Sequence, residues 1–175
     1  MESPHDERYS SQYLNLAEER LGSVVLETTD DFFAEKENLI KPGRGIFIPG
    51  KFTNDGKWMD GWESRRKRIP GHDWCKVRLG VPGKIRALDI DTNHFTGNFP
   101  PFASLEACEI TGDPDDSTEW TELLAKSPLL GTSQNLFEVS SDQRWTHVRL
   151  HIYPDGGVAR LRVYGEPHMD WSTIG

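Results

Sequence analysis

The densest chemistry in this sequence lies in Gly56–Arg68 and in Gly71-His72-Asp73-Trp74 just after it. That stretch holds Asp60 and Glu63, the cations Lys57, Arg65, Arg66, Lys67 and Arg68, the imidazole of His72, and Trp58, Trp62 and Trp74. A pocket for a small polar anion needs this mixture. Guanidinium forks grip a carboxylate through paired hydrogen bonds, aromatic walls exclude water, and a carboxylate or imidazole moves protons. The same composition also fits a structural loop whose charges are simply solvated. A nuclear-localisation reading of Arg65–Arg68 sits poorly with flanking tryptophans and a strand directly after.

Two further polar segments have the right residue types. Asp89–Asn98 leaves a strand and carries Asp91, His94 and Asn98 ahead of Pro100-Pro101; its plain alternative is an Asx-rich turn that satisfies its own backbone. Asp30-Asp31 invites a divalent cation, because Ca²⁺ and Mn²⁺ favour carboxylates. With no EF-hand loop or His-Glu-x-x-His spacing around them, an exposed acidic loop is the simpler reading. His147 and His151 lie four apart with Arg149 between them, which suggests an outward polar face or a subunit contact rather than a metal site. No Gly-x-Ser-x-Gly elbow or phosphate-cradling glycine motif occurs.

The elements that must hold these groups read as strands. Cys75, Val77 and Leu79 alternate with Lys76 and Arg78, Val81–Lys84 supplies a turn, and Ile85–Ile90 returns, predicting a hairpin. A second hairpin is expected from Val148, Leu150 and Ile152, then Pro154–Gly157, then Ala159, Leu161 and Val163. Its charged set, with His147, Arg149, His151, Arg160 and Arg162, is expected to face outward. Strands are placed near 74–79, 85–91, 104–110, 146–153 and 158–164. An all-β antiparallel β-sandwich or jelly roll follows. The aromatic-rich irregular region 29–72 reads as ordered, site-forming loops.

Composition narrows the class. The 175 residues suffice for one domain with a real core, read as a flexible N-terminus (1–13), a sandwich (14–166), and a tail or truncated linker (167–175). A net charge of −8 argues against a nucleic-acid or anionic-membrane partner. No window approaches the ~18 apolar residues of a membrane span. Two cysteines without a disulfide pattern suggest free thiols and a cytoplasmic location.

The string WMDGWESRRKR (58–68) followed by PGHDW (70–74), with the flanking segments from Leu16 to Glu166, resembles the allantoicase repeat. The order of segments is also similar to galactose-binding-like jelly rolls. Allantoicases hydrolyse allantoate to ureidoglycolate and urea, so the resemblance implies that reaction. It suggests Lys57, Trp58, Arg65, Arg66 and Asn98 for substrate binding, and Asp60, Glu63, His72, Asp91 and His94 for proton transfer. It leaves room for Mn²⁺, with Asp30 and Asp31 as ligands, without requiring one. The family has two tandem repeats and this chain one, so either a homo-oligomer or a fragment of a two-repeat enzyme is expected. The alternatives are a non-catalytic jelly-roll module for a carbohydrate or other small polar ligand, or an inactive half-enzyme.

Overall fold

The computed structural model describes residues 5–168; the expected tail from residue 169 onward lies outside them. The architecture is all-β and antiparallel, with only two short 3₁₀ turns, Glu19–Leu21 and Lys36–Ile40, among the described residues. Its strands begin with β1 (Leu14–Asn15), β2 (Val24–Thr28), β3 (Phe52–Thr53), β4 (Gly56–Lys57), β5 (Trp62–Glu63) and β6 (Asp73–Asp91). They continue with β7 (Phe102–Cys108), β8 (Thr121–Pro128), β9 (Leu136–Glu138), β10 (Arg144–Tyr153), β11 (Gly157–Val158) and β12 (Arg160–Pro167).

The expected hairpin over 74–91 is instead one strand of 19 residues. Its first half pairs with β2 and β10, its second half with β12 and β9. Val81–Lys84 does not reverse the chain. The register against β10 jumps from Gly83 to Arg78 while β10 advances only from Trp145 to His147, so the intervening residues bulge and β6 bends. The second expected hairpin is also replaced: β10 and β12 pair with β6 from opposite ends of that strand, Ile152 opposite Asp73 and Arg160 opposite Asp91.

This pairing folds the sandwich. A straight strand of this length would hold Asp73 and Asp91 roughly 60 Å apart. The eight-residue step from Ile152 to Arg160 reaches at most about 28 Å, plus two inter-strand gaps of about 5 Å. The strand therefore doubles over, and both of its ends come to the same end of the domain. Glycine is required at the bend: a Cβ on Gly83 would lie 2.2 Å from the Glu166 carbonyl, and one on Gly80 would lie 2.5 Å from that of Leu21.

The two halves of β6 share one core. Cys75, Val77, Ile85, Leu88 and Ile90 pack with Leu105, Val148, Leu150, Leu161 and Val163, and with the buried rings of Trp62 and Trp145. Each aliphatic side chain buried in this way contributes about 1.5–3 kcal/mol. The inward face shifts from odd to even numbers after Ile85, where β12 also slips between Tyr164 and Gly165. Ala87 is thereby turned outward against Tyr9 and Tyr164. Cys75 and Cys108 are buried and unbridged.

The expected outward face needs correction. His147 and Arg160, assigned to an outward face, are 2% and 3% exposed: alternation tells which side of a strand a residue takes, not what covers that side. In the N-terminal segment, Ser11 and Tyr13 donate backbone hydrogen bonds to Glu7 and Tyr9, and the Tyr9 ring is buried.

Gly83→Ala should lower stability by about 1–3 kcal/mol through overpacking at the bend. Gly97→Ala, where a Cβ meets nothing within 4 Å, should leave the urea midpoint unchanged.

Candidate functional site

Along the second half of β6, Leu88 and Ile90 face the core while Asp89 and Asp91 face away from it. On β12, Arg162 stands directly opposite Asp89, with Tyr164 one pleat further on. Tyr13, Asn15, Glu18 and the Pro42–Arg44 loop close over this face and leave a cavity of about 440 Å³. A neighbouring cavity of about 570 Å³ shares Pro42, Gly43 and Arg44 with it and is lined by Glu19, Trp58, Asp60 and Arg160.

Four groups give the first cavity its character. Arg44 forks onto Asp91, Nε donating to Oδ2 at 2.9 Å and Nη2 to Oδ1 at 3.2 Å. The Asn93 amide donates to the same carboxylate. Arg162 donates to the Gly43 carbonyl at 2.7 Å, and its burial pushes the guanidinium below its usual range, with Arg160 adding to the effect. Asp89 accepts from Gln134 at Oδ2, 2.8 Å, while Oδ1 is buried with no hydrogen-bond partner. Burial first, and the Asp91 charge second, push the Asp89 carboxyl up to about 7. Tyr164 is pushed up to about 12, chiefly by burial, so its hydroxyl stays a neutral donor at pH 7.

The residues singled out from sequence are distributed over several places. Asp91 lines the first cavity and Trp58 and Asp60 the second. Asp60 is committed to Arg160, whose Nη2 lies 2.9 and 2.8 Å from the two carboxylate oxygens. The remaining donors of Arg160 go to the carbonyls of Gly43, Asp60 and Ala159, and the Ile46 amide donates to Asp60. This buried pair staples the 42–61 loops to β12.

Glu63 and Asn98 meet, Nδ2 donating to Oε2 at 3.0 Å, so the two polar loops do touch. Burial raises the Glu63 carboxyl, partly offset by Asn98. His72 lies on the other face of the domain, its Nε2 2.8 Å from His151 Nδ1, in a chain that continues to Glu106 and Arg149. Burial holds both imidazoles below their usual range. Arg65 pairs with Asp30 and covers the Phe32 ring, and Asp31 accepts from the Lys36 amide. Lys57 lies over Phe47, His94 packs against the same ring with φ at 70°, and Arg66 is exposed. Among the described residues no group of three or more His, Cys, Asp or Glu is arranged to hold a metal.

Arg44, Asp89, Arg162 and Tyr164 were not singled out from sequence. One signal was present: Asp89-Ile90-Asp91 puts two carboxylates on one side of a strand and Leu88 and Ile90 on the other.

Residues 14–168 match the family model described as the allantoicase repeat. The chain belongs to the allantoicase family. It is 50% identical over 173 residues to a protein named probable allantoicase 1 from Burkholderia mallei (strain ATCC 23344), covering 98% of this chain and 51% of that protein. The crystal structure of allantoicase from Saccharomyces cerevisiae superposes with a TM-score of 0.77 at 34% identity, over 91% of this chain and 50% of that one. CBM32-3, from a family 31 glycoside hydrolase of Clostridium perfringens, aligns with a TM-score of 0.62 at 13% identity, over 93% of this chain and all of that module; a likeness at that identity concerns the jelly-roll fold alone. The chain spans about half the length of the curated relatives it matches. No helix among the described residues is long and apolar enough to cross a membrane.

Asp60→Ala should destabilise the protein by about 3–5 kcal/mol, because it leaves the buried Arg160 charge without its partner. Chemical denaturation of the variant checks this.

Proposed function

We propose that this chain hydrolyses allantoate to ureidoglycolate and urea, and that the cavity between β6, β12 and the Pro42–Arg44 loop is where allantoate binds. The observation that carries the reading is the charge of that cavity within an allantoicase-family chain. With Asp89 protonated, its walls hold three guanidiniums (Arg20, Arg44 and Arg162) against two carboxylates (Glu18 and Asp91). A desolvated guanidinium in such a place favours an anion, and allantoate presents a carboxylate beside two ureido groups. Carbonyls, amides and the Tyr164 hydroxyl supply neutral partners for the ureido groups. Asp91, held in orientation by the Arg44 fork, is the carboxylate this reading assigns to proton transfer.

All of the walls named here come from this one chain. The purified 175-residue chain incubated with allantoate should release urea, together with glyoxylate from breakdown of ureidoglycolate. A folded chain that releases no urea above the blank overturns the reading. Arg162→Gln should weaken allantoate binding about tenfold or more, since a hydrogen bond to a charged group contributes about 1.5–3 kcal/mol; calorimetric titration measures it.

Assembly and location belong to the same proposal. The reading includes a homo-oligomer, in which two copies sit as two tandem repeats do. Sedimentation at micromolar concentration should give a mass well above the 19.9 kDa of one chain. Two buried, unbridged thiols fit a reducing cytoplasm.

A further inference from the structure

One carboxyl in the cavity is built differently from the rest. Asp91 has a guanidinium fork and a backbone amide. Asp89, two residues away on the same face and 1% exposed, has one neutral donor on Oδ2 and nothing on Oδ1. Arg162 stands directly opposite it in the β6–β12 register, yet among the described residues no ion pair joins them. An ionised carboxylate buried beside a guanidinium would take that guanidinium as its partner, because an unpaired buried charge costs several kcal/mol. A protonated one has no such claim.

We propose that Asp89 is a positioning residue: by keeping a proton it leaves Arg162 available to an anionic ligand, and by losing that proton it takes Arg162 into an ion pair and closes the site to anions. The inference rests on the allantoate reading of the cavity and adds its selectivity mechanism. Asp89 need not touch the ligand for this. It acts through the guanidinium across the strand, which suits a cavity-lining carboxyl that is only 1% exposed.

The charged and titratable groups around Asp89 come from every element packed there. Asp91 shares its strand, Arg162 and Tyr164 lie on β12, and Arg44 comes from the loop. Glu18 caps the first 3₁₀ turn and Arg20 lies in it, while His5 and Tyr13 come from the N-terminal segment. Gln134, just before β9, has a double role. Its amide group pairs with the backbone of Asp6 in both directions, Asp6 N donating to Oε1 at 2.6 Å and Nε2 donating to Asp6 O at 3.3 Å, while Nε2 also reaches Asp89. The same side chain thus fixes the N-terminal wall and holds the Asp89 carboxyl in place.

The experiment is allantoate binding by calorimetry from pH 6 to pH 8.5, on the wild-type chain and three variants. With the Asp89 carboxyl near 7, the competent fraction at pH 8.5 is small and the apparent Kd should rise roughly thirtyfold over pH 6. Asp89→Asn, permanently neutral and nearly isosteric, should bind at pH 8.5 within about twofold of its own pH 6 affinity, the ratio expected when the competent fraction no longer changes. Gln134→Leu removes a donor that favours the ionised form, so its loss of binding should move to higher pH; this variant serves if Asp89→Asn does not fold. His5→Gln should retain the wild-type profile. Wild-type binding that does not change with pH, an Asp89→Asn profile that matches wild type, or a profile abolished by His5→Gln overturns the inference and leaves the allantoate reading standing. No allantoate binding by any folded protein at any pH overturns the allantoate reading and this inference with it.

Discussion

The hydrogen-bonded ladder of β6 is the constraint on which the rest of this domain depends. β2, β9, β10 and β12 all take their registers from it, and it contributes inward side chains to the core from both of its halves. Because one continuous backbone serves both layers, their relative placement is set by the bend at residues 79–83 and not by loop length. The close approach of Gly83 to the Glu166 carbonyl is where that geometry is enforced. The same bend brings Asp73 and Asp91 to one end of the domain, and the long irregular region between β2 and β6 collects there.

Charge pairs then turn loops into walls. The Arg160–Asp60 pair is buried on both sides, and every donor of its guanidinium is directed at loop or strand oxygens. Such a pair adds little net stability compared with apolar packing, but it fixes one conformation for the 42–61 region, which has almost no strand of its own. The Arg44–Asp91 fork does the same at the cavity mouth. Ion pairs thus hold the loops around the cavity in place, and Asp60 has the contacts of such a staple.

The fold class was legible because period-2 alternation is a local property. Cys75, Val77 and Leu79 against Lys76 and Arg78 require a strand whatever the topology. Its connectivity was not legible. Val81-Pro82-Gly83-Lys84 has turn chemistry, and only the pairing of Gly83 with both Trp145 and Pro167 reveals a bend within a strand. The site was legible in part for a related reason. Asp91 lay in a segment chosen for its polar side chains. Arg162 and Asp89 were visible only as outward positions, and what covers an outward position is a long-range fact. The cation-rich segment lies elsewhere: Arg65 and Lys67 stand near Asp30, Asp73 and Asp155, and none of residues 65–68 lines the cavity on β12.

The buried thiols have a consequence of a different kind. Cys75 lies in the first half of β6 and Cys108 at the end of β7, both in the interior. Burial pushes the Cys108 thiol up to about 11 and the Cys75 thiol higher still. Thiol reagents attack the thiolate, so in the closed domain both sulfurs are doubly protected, by access and by protonation. Cys75, paired with β2 and β10, is uncovered only when the domain opens around it. The sequence thus carries an intrinsic chemical probe: consumption of Cys75 by an alkylating reagent reports how often the strands around it open, without any label having to be introduced.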